Sequence, residues 1–125
     1  SSVSMEPPLV LWSLAKESPS VADLTGASHF GINILAANQH HLSRQFSTPR
    51  PDKFSGVDCC ESTAGVPLLN GVIARFLCRS VQQYDGGDHL IFIGEVEQYE
   101  CFEGDTLVFH SGFYRVATRH PELDQ

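Results

Sequence analysis

Cations are scarce in this chain: eight lysines and arginines face fifteen aspartates and glutamates, a net charge of −7 over 125 residues. That balance argues against a nucleic-acid surface or an anionic membrane as partner. It leaves room for a small phosphorylated ligand, which backbone amides, hydroxyls and one or two arginines hold locally. No apolar run approaches the ~20 residues of a membrane helix, and no secretory leader is visible, so a cytoplasmic protein is expected. Cysteine is sparse too. Cys59, Cys60, Cys78 and Cys101 lack paired C-x-x-C spacing, and a vicinal pair is a poor start for a disulfide framework. The six histidines stand at no recognisable ligand spacing, so reduced thiols and no metal are expected. Internal repeats and low-complexity runs are absent. The length suits one domain with a real core, hardly two.

What is present is organised around Phe30 to Phe46, FGINILAANQHHLSRQF. Its first half, through Ala37, alternates and is almost wholly apolar, which predicts a strand buried on both faces with Asn33 as the one polar group needing a partner. Its second half changes period. Asn38 is a good N-cap, and Leu42, Gln45 and Phe46 recur on one helical side. A strand thus feeds a short polar helix whose first backbone N–H groups are free for an anion.

Ahead of it, Ser1 to Ser4 reads as a strand end and Met5-Glu6-Pro7-Pro8 as a turn. Leu9 to Leu14 is a compact strand. Ser18 before Pro19 reads as an N-cap with proline at the first helical position, giving a second helix start lined by Lys16, Ser18 and Ser20. Behind it, Ser47 to Gly56 is a loop with a helical turn possible at Asp52–Ser55, and Val57 to Gly65 is weakly patterned. Asn70-Gly71 is the best hairpin signal in the chain. Val72 to Val81 reads as a strand, although its charges would also permit a helix, Tyr84 to Asp88 as a turn, and His89 to Tyr99 as a long strand. Thr106 to His110 and Phe113 to Val116 are short strands joined by Ser111-Gly112. Residues 1–118 then form one domain and 119–125 a polar tail or linker. The elements predict a mainly β fold, an antiparallel barrel with two or three short helices.

The order of motifs resembles the flavin reductases of two-component monooxygenases, which have the FMN-binding split β-barrel. The matching pieces are SSVSMEPPLVLWSL, KESPS, FGINILAANQHHLSRQF, DKFSGV, GVPLLNGVIARFLC, GDHLIFIGEVE and HSGFYRV. The resemblance implies an antiparallel split barrel and a homodimer. It implies hydride transfer from NADH or NADPH to FMN or FAD, and delivery of reduced flavin to a partner monooxygenase of the aromatic hydroxylase type. It also implies further residues ahead of SSVSMEPP that carry the first barrel strands.

Roles carry over residue by residue. Ser2 and Ser4 fall beside the flavin, and Lys16, Ser18 and Ser20 where the family binds its phosphate or ribityl chain. Leu35, Ala36 and Ala37 bring their backbone along the ring edge, and Gln39, Ser43 and Arg44 offer donors toward phosphate or the adenylate half of FAD. His89, after Asp88, is the group for nicotinamide, its imidazole oriented by the carboxylate. Tyr114 stacks on or hydrogen-bonds the nicotinamide nucleotide, with His110 and Ser111 bordering it. His29, His40, His41 and His120 read as surface groups. No catalytic acid or base is needed, because the cofactor carries the chemistry. The alternatives are another split-barrel activity, or a flavin- or haem-binding module for storage or sensing.

Overall fold

The computed structural model describes residues 1–123. Nine strands and two short α-helices follow one another: β1 (Ser2–Met5), β2 (Pro8–Ala15), α1 (Val21–Gly26), β3 (His29–Ile34), α2 (His40–Ser47), β4 (Cys59–Glu61), β5 (Pro67–Leu69), β6 (Ala74–Gly86), β7 (His89–Cys101), β8 (Leu107–His110) and β9 (Phe113–Val116). Five of them form one antiparallel sheet in the order β1-β2-β7-β6-β3, and β4-β5 and β8-β9 are separate hairpins. The expected mainly β, antiparallel class is what these strands build. The sheet stays open, with β1 and β3 as its margins.

The long β6–β7 hairpin is its spine. Alternation along β7 sends Leu90, Phe92, Gly94 and Val96 to the face where Phe92 and Gly94 are buried. Phe92 stacks on Trp12 with ring centroids 4.7 Å apart, and Phe30 meets Trp12 edge-on at 5.7 Å. Phe30, Cys78 and Phe92 make the buried centre. A second small core joins Leu42 of α2 to Leu69 and Val72. Gly94 lies under Phe30 so tightly that a Cβ there would meet the ring at 2.4 Å. This close approach, rather than a turn, is why glycine stands mid-strand.

Several local expectations change. β3 ends at Ile34, not Ala37, and only Phe30 in it is fully buried. Beyond Ile34 the chain leaves the sheet to meet the loop before β8: Leu107 N–H donates to Leu35 O (3.0 Å) and Ala37 N–H to Asp105 O (2.8 Å). Asn33 finds its partner, its side-chain oxygen accepting from Leu69 N–H at 3.0 Å. Asn38 is not a cap. It sits inside a 3₁₀ turn, Ala37–Gln39, and α2 starts after Gln39. Ser18 does not cap α1 either; its Oγ accepts from Ser20 N–H at 3.2 Å, closing a turn one step before a helix of six residues.

Asn70-Gly71 turns, with Gly71 at φ 77°, but makes no hairpin, because β5 pairs with β4 while β6 pairs with β3 and β7. Asp52 to Ser55 holds an Asx turn on Phe54 N–H (3.1 Å) rather than a helical one. The weakly patterned 57–65 segment contributes β4, and β6 runs on to Gly86, leaving Gly87-Asp88 as the whole turn. Of the expected tail, 119–123 carry no helix or strand and 124–125 lie outside the described residues.

Candidate functional site

The thirteen sequence candidates fall into three places. At one end of the sheet, β2 runs out at Ala15 opposite His89, the first residue of β7. Lys16 N–H donates to Asp88 O at 2.9 Å, which ties the Lys16–Ser20 turn to the β6–β7 turn. Lys16 Nζ pairs with the Asp85 carboxylate, and His89 Nδ1 meets Asp88 Oδ1 at 2.7 Å. That hydrogen bond, and then the charge of His89, hold the Asp88 carboxyl below its ordinary value of 3.8. Asp88 is therefore ionised at neutral pH, accepts from Nδ1–H and leaves Nε2 free. Lys16 and His89 are exposed, and Ser18 and Ser20 half-buried.

At the other end lie seven candidates. Tyr114 on β9 donates its hydroxyl hydrogen bond to Ser43 Oγ at 3.0 Å. The Arg44 guanidinium carbon lies 5.4 Å from the Tyr114 ring centre, and the His40 ring 6.2 Å from it. Arg44 is exposed and makes no ion pair with any described carboxylate. Gln39 does a different job: buried, it accepts from Ala36 N–H (2.9 Å) and donates to Asn70 O (2.9 Å), pinning the turn to the strand end. The N–H groups of Ala36 and Ala37 and the carbonyl of Leu35 are thus already engaged inside the chain. Ser2 and Ser4 stand apart on the margin strand β1, beside Val10 and Leu9, with Ser2 exposed and Ser4 half-buried.

Between the sheet margins runs a trough of about 700 Å³, lined mostly by apolar side chains such as Leu11, Trp12, Ile32, Leu42 and Phe46. Of the sequence candidates only Leu35 and Ser43 reach it. No group of three or more His, Cys, Asp or Glu among the described residues is placed to hold a metal ion. Cys59, Cys60 and Cys101 are exposed free thiols, whereas burial, and secondarily the charge of Glu97, push the Cys78 thiol up to about 11. No described helix is long and apolar enough to cross a membrane.

The flavin reductase like domain family matches residues 1–118. The chain belongs to that family. Among curated relatives, the FMN reductase (NADH) SmoA of Agrobacterium fabrum is 42% identical over 113 residues, 90% of this chain and 64% of that protein. The reductase subunit HsaB of a flavin-dependent monooxygenase in Rhodococcus jostii is 39% identical over 90% of this chain and 58% of its own. Among solved structures, the NADH:FAD oxidoreductase SgcE6 of Streptomyces globisporus C-1027, in complex with NAD and FAD fragments, superposes with a TM-score of 0.89. It is 34% identical over 98% of this chain and 74% of that one. The chain spans between 36% and 64% of the length of the first three curated relatives.

In this flavin reductase like domain, sequence reasoning missed Asp85, which neutralises Lys16. The signal was present in YDGGD, where acids flank two glycines at the β6–β7 turn. His29 was read as a surface group. It is half-buried, its Nε2 2.8 Å from Glu97 Oε1 and its Nδ1 2.9 Å from Ser28 Oγ. Glu97 lies on β7, across β6 from β3, so no local pattern reveals the pairing.

Proposed function

We propose that this chain is an NAD(P)H:flavin oxidoreductase domain that passes hydride from NADH to FMN or FAD and supplies reduced flavin to a partner monooxygenase. The observation that carries the reading is the pairing, within a flavin reductase like domain, of two chemically different ends. One has an arginine without a carboxylate partner among the described residues, beside a hydroxyl and an aromatic ring. The other has a histidine oriented by an ionised aspartate.

Arg44, with Ser43 and Tyr114, suits a phosphate: a planar fork of donors, a hydroxyl and a stacking surface, with no ion-paired carboxylate among the described residues. Lys16 is a poorer choice, since a phosphate there must displace Asp85. Ser18 and Ser20 remain as hydroxyl donors near the ring, and Ser2 and Ser4 on β1 offer more. Flavin, when bound, accepts the hydride and so supplies the redox chemistry. The chain's own part is to hold two flat rings in contact and to donate hydrogen bonds where charge develops. His89 serves the nicotinamide nucleotide through Nε2, and Asp88 keeps Nδ1 as the donor on the other side. The same reading makes the protein a cytoplasmic homodimer, working where NADH is available.

His89→Ala is expected to raise the KM for NADH by about three- to tenfold, since a hydrogen bond is worth about 0.5–1.5 kcal/mol. The value of kcat should fall much less, because the histidine binds in ground state and transition state alike. Steady-state NADH titrations check this. A selective fall in kcat at constant KM would contradict the role given to His89.

A further inference from the structure

A second group of reactive side chains lies outside the nucleotide site, at the start of β3. Ser28 Oγ is 2.9 Å from His29 Nδ1, and His29 Nε2 is 2.8 Å from Glu97 Oε1. A carboxylate accepts but cannot donate, so Nε2 carries the imidazole proton. The Nδ1 lone pair then faces Ser28, and the hydroxyl donates to it. Serine, histidine and carboxylate thus stand in the order that turns a hydroxyl into a nucleophile. Glu97 comes from β7, with β6 between it and β3, so the sheet and not the local sequence completes the set. Ser28 is exposed and open to a substrate. Its neighbours Ala27 and His29 line the apolar trough, as does Leu24 of α1. Arg79 is the register partner of His29, so both side chains stand on one face of the sheet. Its Nη2 donates to Glu95 Oε2 at 2.6 Å, and a guanidinium has further N–H donors for an oxygen that gains charge.

We propose that Ser28, His29 and Glu97 form a second site that hydrolyses esters with an apolar acyl group. The Ser28 oxygen attacks the ester carbonyl carbon while its proton passes to His29 Nδ1. The tetrahedral intermediate collapses by breaking the bond to the alkoxy oxygen, which leaves as the alcohol with the proton from His29. Water then adds to the acyl-serine with His29 as base, the carboxylic acid departs, and the hydroxyl is restored. Glu97 is a positioning residue: it keeps the proton on Nε2 and steadies the imidazolium formed in each half of the cycle. An apolar acyl group fits because the trough of about 700 Å³ presents Leu24, Phe30 and Ile32 as well as His29. Hydride transfer uses none of these residues, so the two activities stand or fall separately.

Covalent labelling tests this. The whole chain is treated with a fluorophosphonate probe, which reacts with activated serines and spares ordinary hydroxyls and thiols, and peptide mass spectrometry locates the adduct. One adduct, on Ser28, is expected, and none in Ser28→Ala. Hydrolysis of p-nitrophenyl butyrate should fall about 100-fold or more in that variant, the scale of a base-activated nucleophile. Ser28 is exposed, and circular dichroism checks that the variant is folded. Glu97→Gln offers Nε2 a donor in place of an acceptor, so it should lower kcat for the ester at unchanged KM, and Glu97→Asp should restore part of the loss. NADH oxidation with added flavin should be unchanged in Ser28→Ala. No adduct, an adduct elsewhere, or wild-type ester hydrolysis by Ser28→Ala overturns the proposal. Hydrolysis that survives in Ser28→Ala and stops on thiol alkylation also overturns it, placing the reaction on the exposed Cys59, Cys60 or Cys101. Parallel loss of ester hydrolysis and NADH oxidation in Ser28→Ala would make Ser28 a residue of the fold and overturn the second site.

Discussion

Arg44→Ala is expected to raise the flavin concentration for half-maximal turnover by about 10- to 100-fold, with kcat at saturating flavin close to wild type. A charged hydrogen bond is worth about 1.5–3 kcal/mol, and each 1.4 kcal/mol is about tenfold in affinity. Arg44 is well set for this use because nothing else claims it: it lies over the Tyr114 ring, one residue from the Ser43 hydroxyl, without an ion-pair partner among the described residues. Arg44→Lys should recover only part of the loss, since an ammonium cannot reproduce the planar two-point grip on a phosphate. Raising the salt concentration should weaken wild-type flavin binding and leave the Ala variant nearly unchanged, the guanidinium being exposed. Equal flavin titrations for wild type and Arg44→Ala would remove phosphate from this end of the molecule.

A large loss of stability is expected at Gly94. A methyl group there would stand 2.4 Å from Phe30 Cζ and 2.9 Å from the Cβ of Cys78. The second neighbour is fixed to its backbone and cannot rotate away. Phe30 cannot swing out freely either, being 5% exposed and packed edge-on against Trp12. Overpacking of this kind costs about 1–3 kcal/mol, and the upper value is expected because both neighbours belong to the central core. At roughly 4 °C per kcal/mol for a domain of this size, thermal unfolding of Gly94→Ala should come about 10 °C lower. Phe92→Ala should cost a comparable 3–5 kcal/mol by leaving a cavity beneath Trp12. A Gly94→Ala protein that melts within about a degree of wild type would mean that the sheet flexes there.

Gly94 also marks what a linear reading misses. Alternation along β7 correctly separates its two faces, because strand geometry imposes a period of two whatever the strand packs against. Nothing local says that Phe30, 64 positions away, presses on one of its glycines. The same division runs through the site. His89 after Asp88 at a strand start is legible, since adjacent residues make the contact. Lys16 with Asp85 is not, because it depends on β2 pairing with β7 and β7 with β6. Asn70-Gly71 turns as its dipeptide requires, but turn chemistry does not state which strands the turn joins. Gln39 is the opposite case: a residue expected to face a ligand is buried because the strand leaves the sheet at Leu35. The backbone groups this exposes need side-chain partners. That Ile34 falls at the opposite end of β7 from His89 was likewise invisible until the strand register was known.

The account's central claim is tested most directly by following NADH oxidation with FMN, with FAD and with no added flavin. Turnover that rises with added flavin and saturates is the predicted result, and the flavin with the lower half-saturation names the preferred acceptor. Flavin binding without NADH consumption would contradict the reductase reading and describe a storage or sensing module instead.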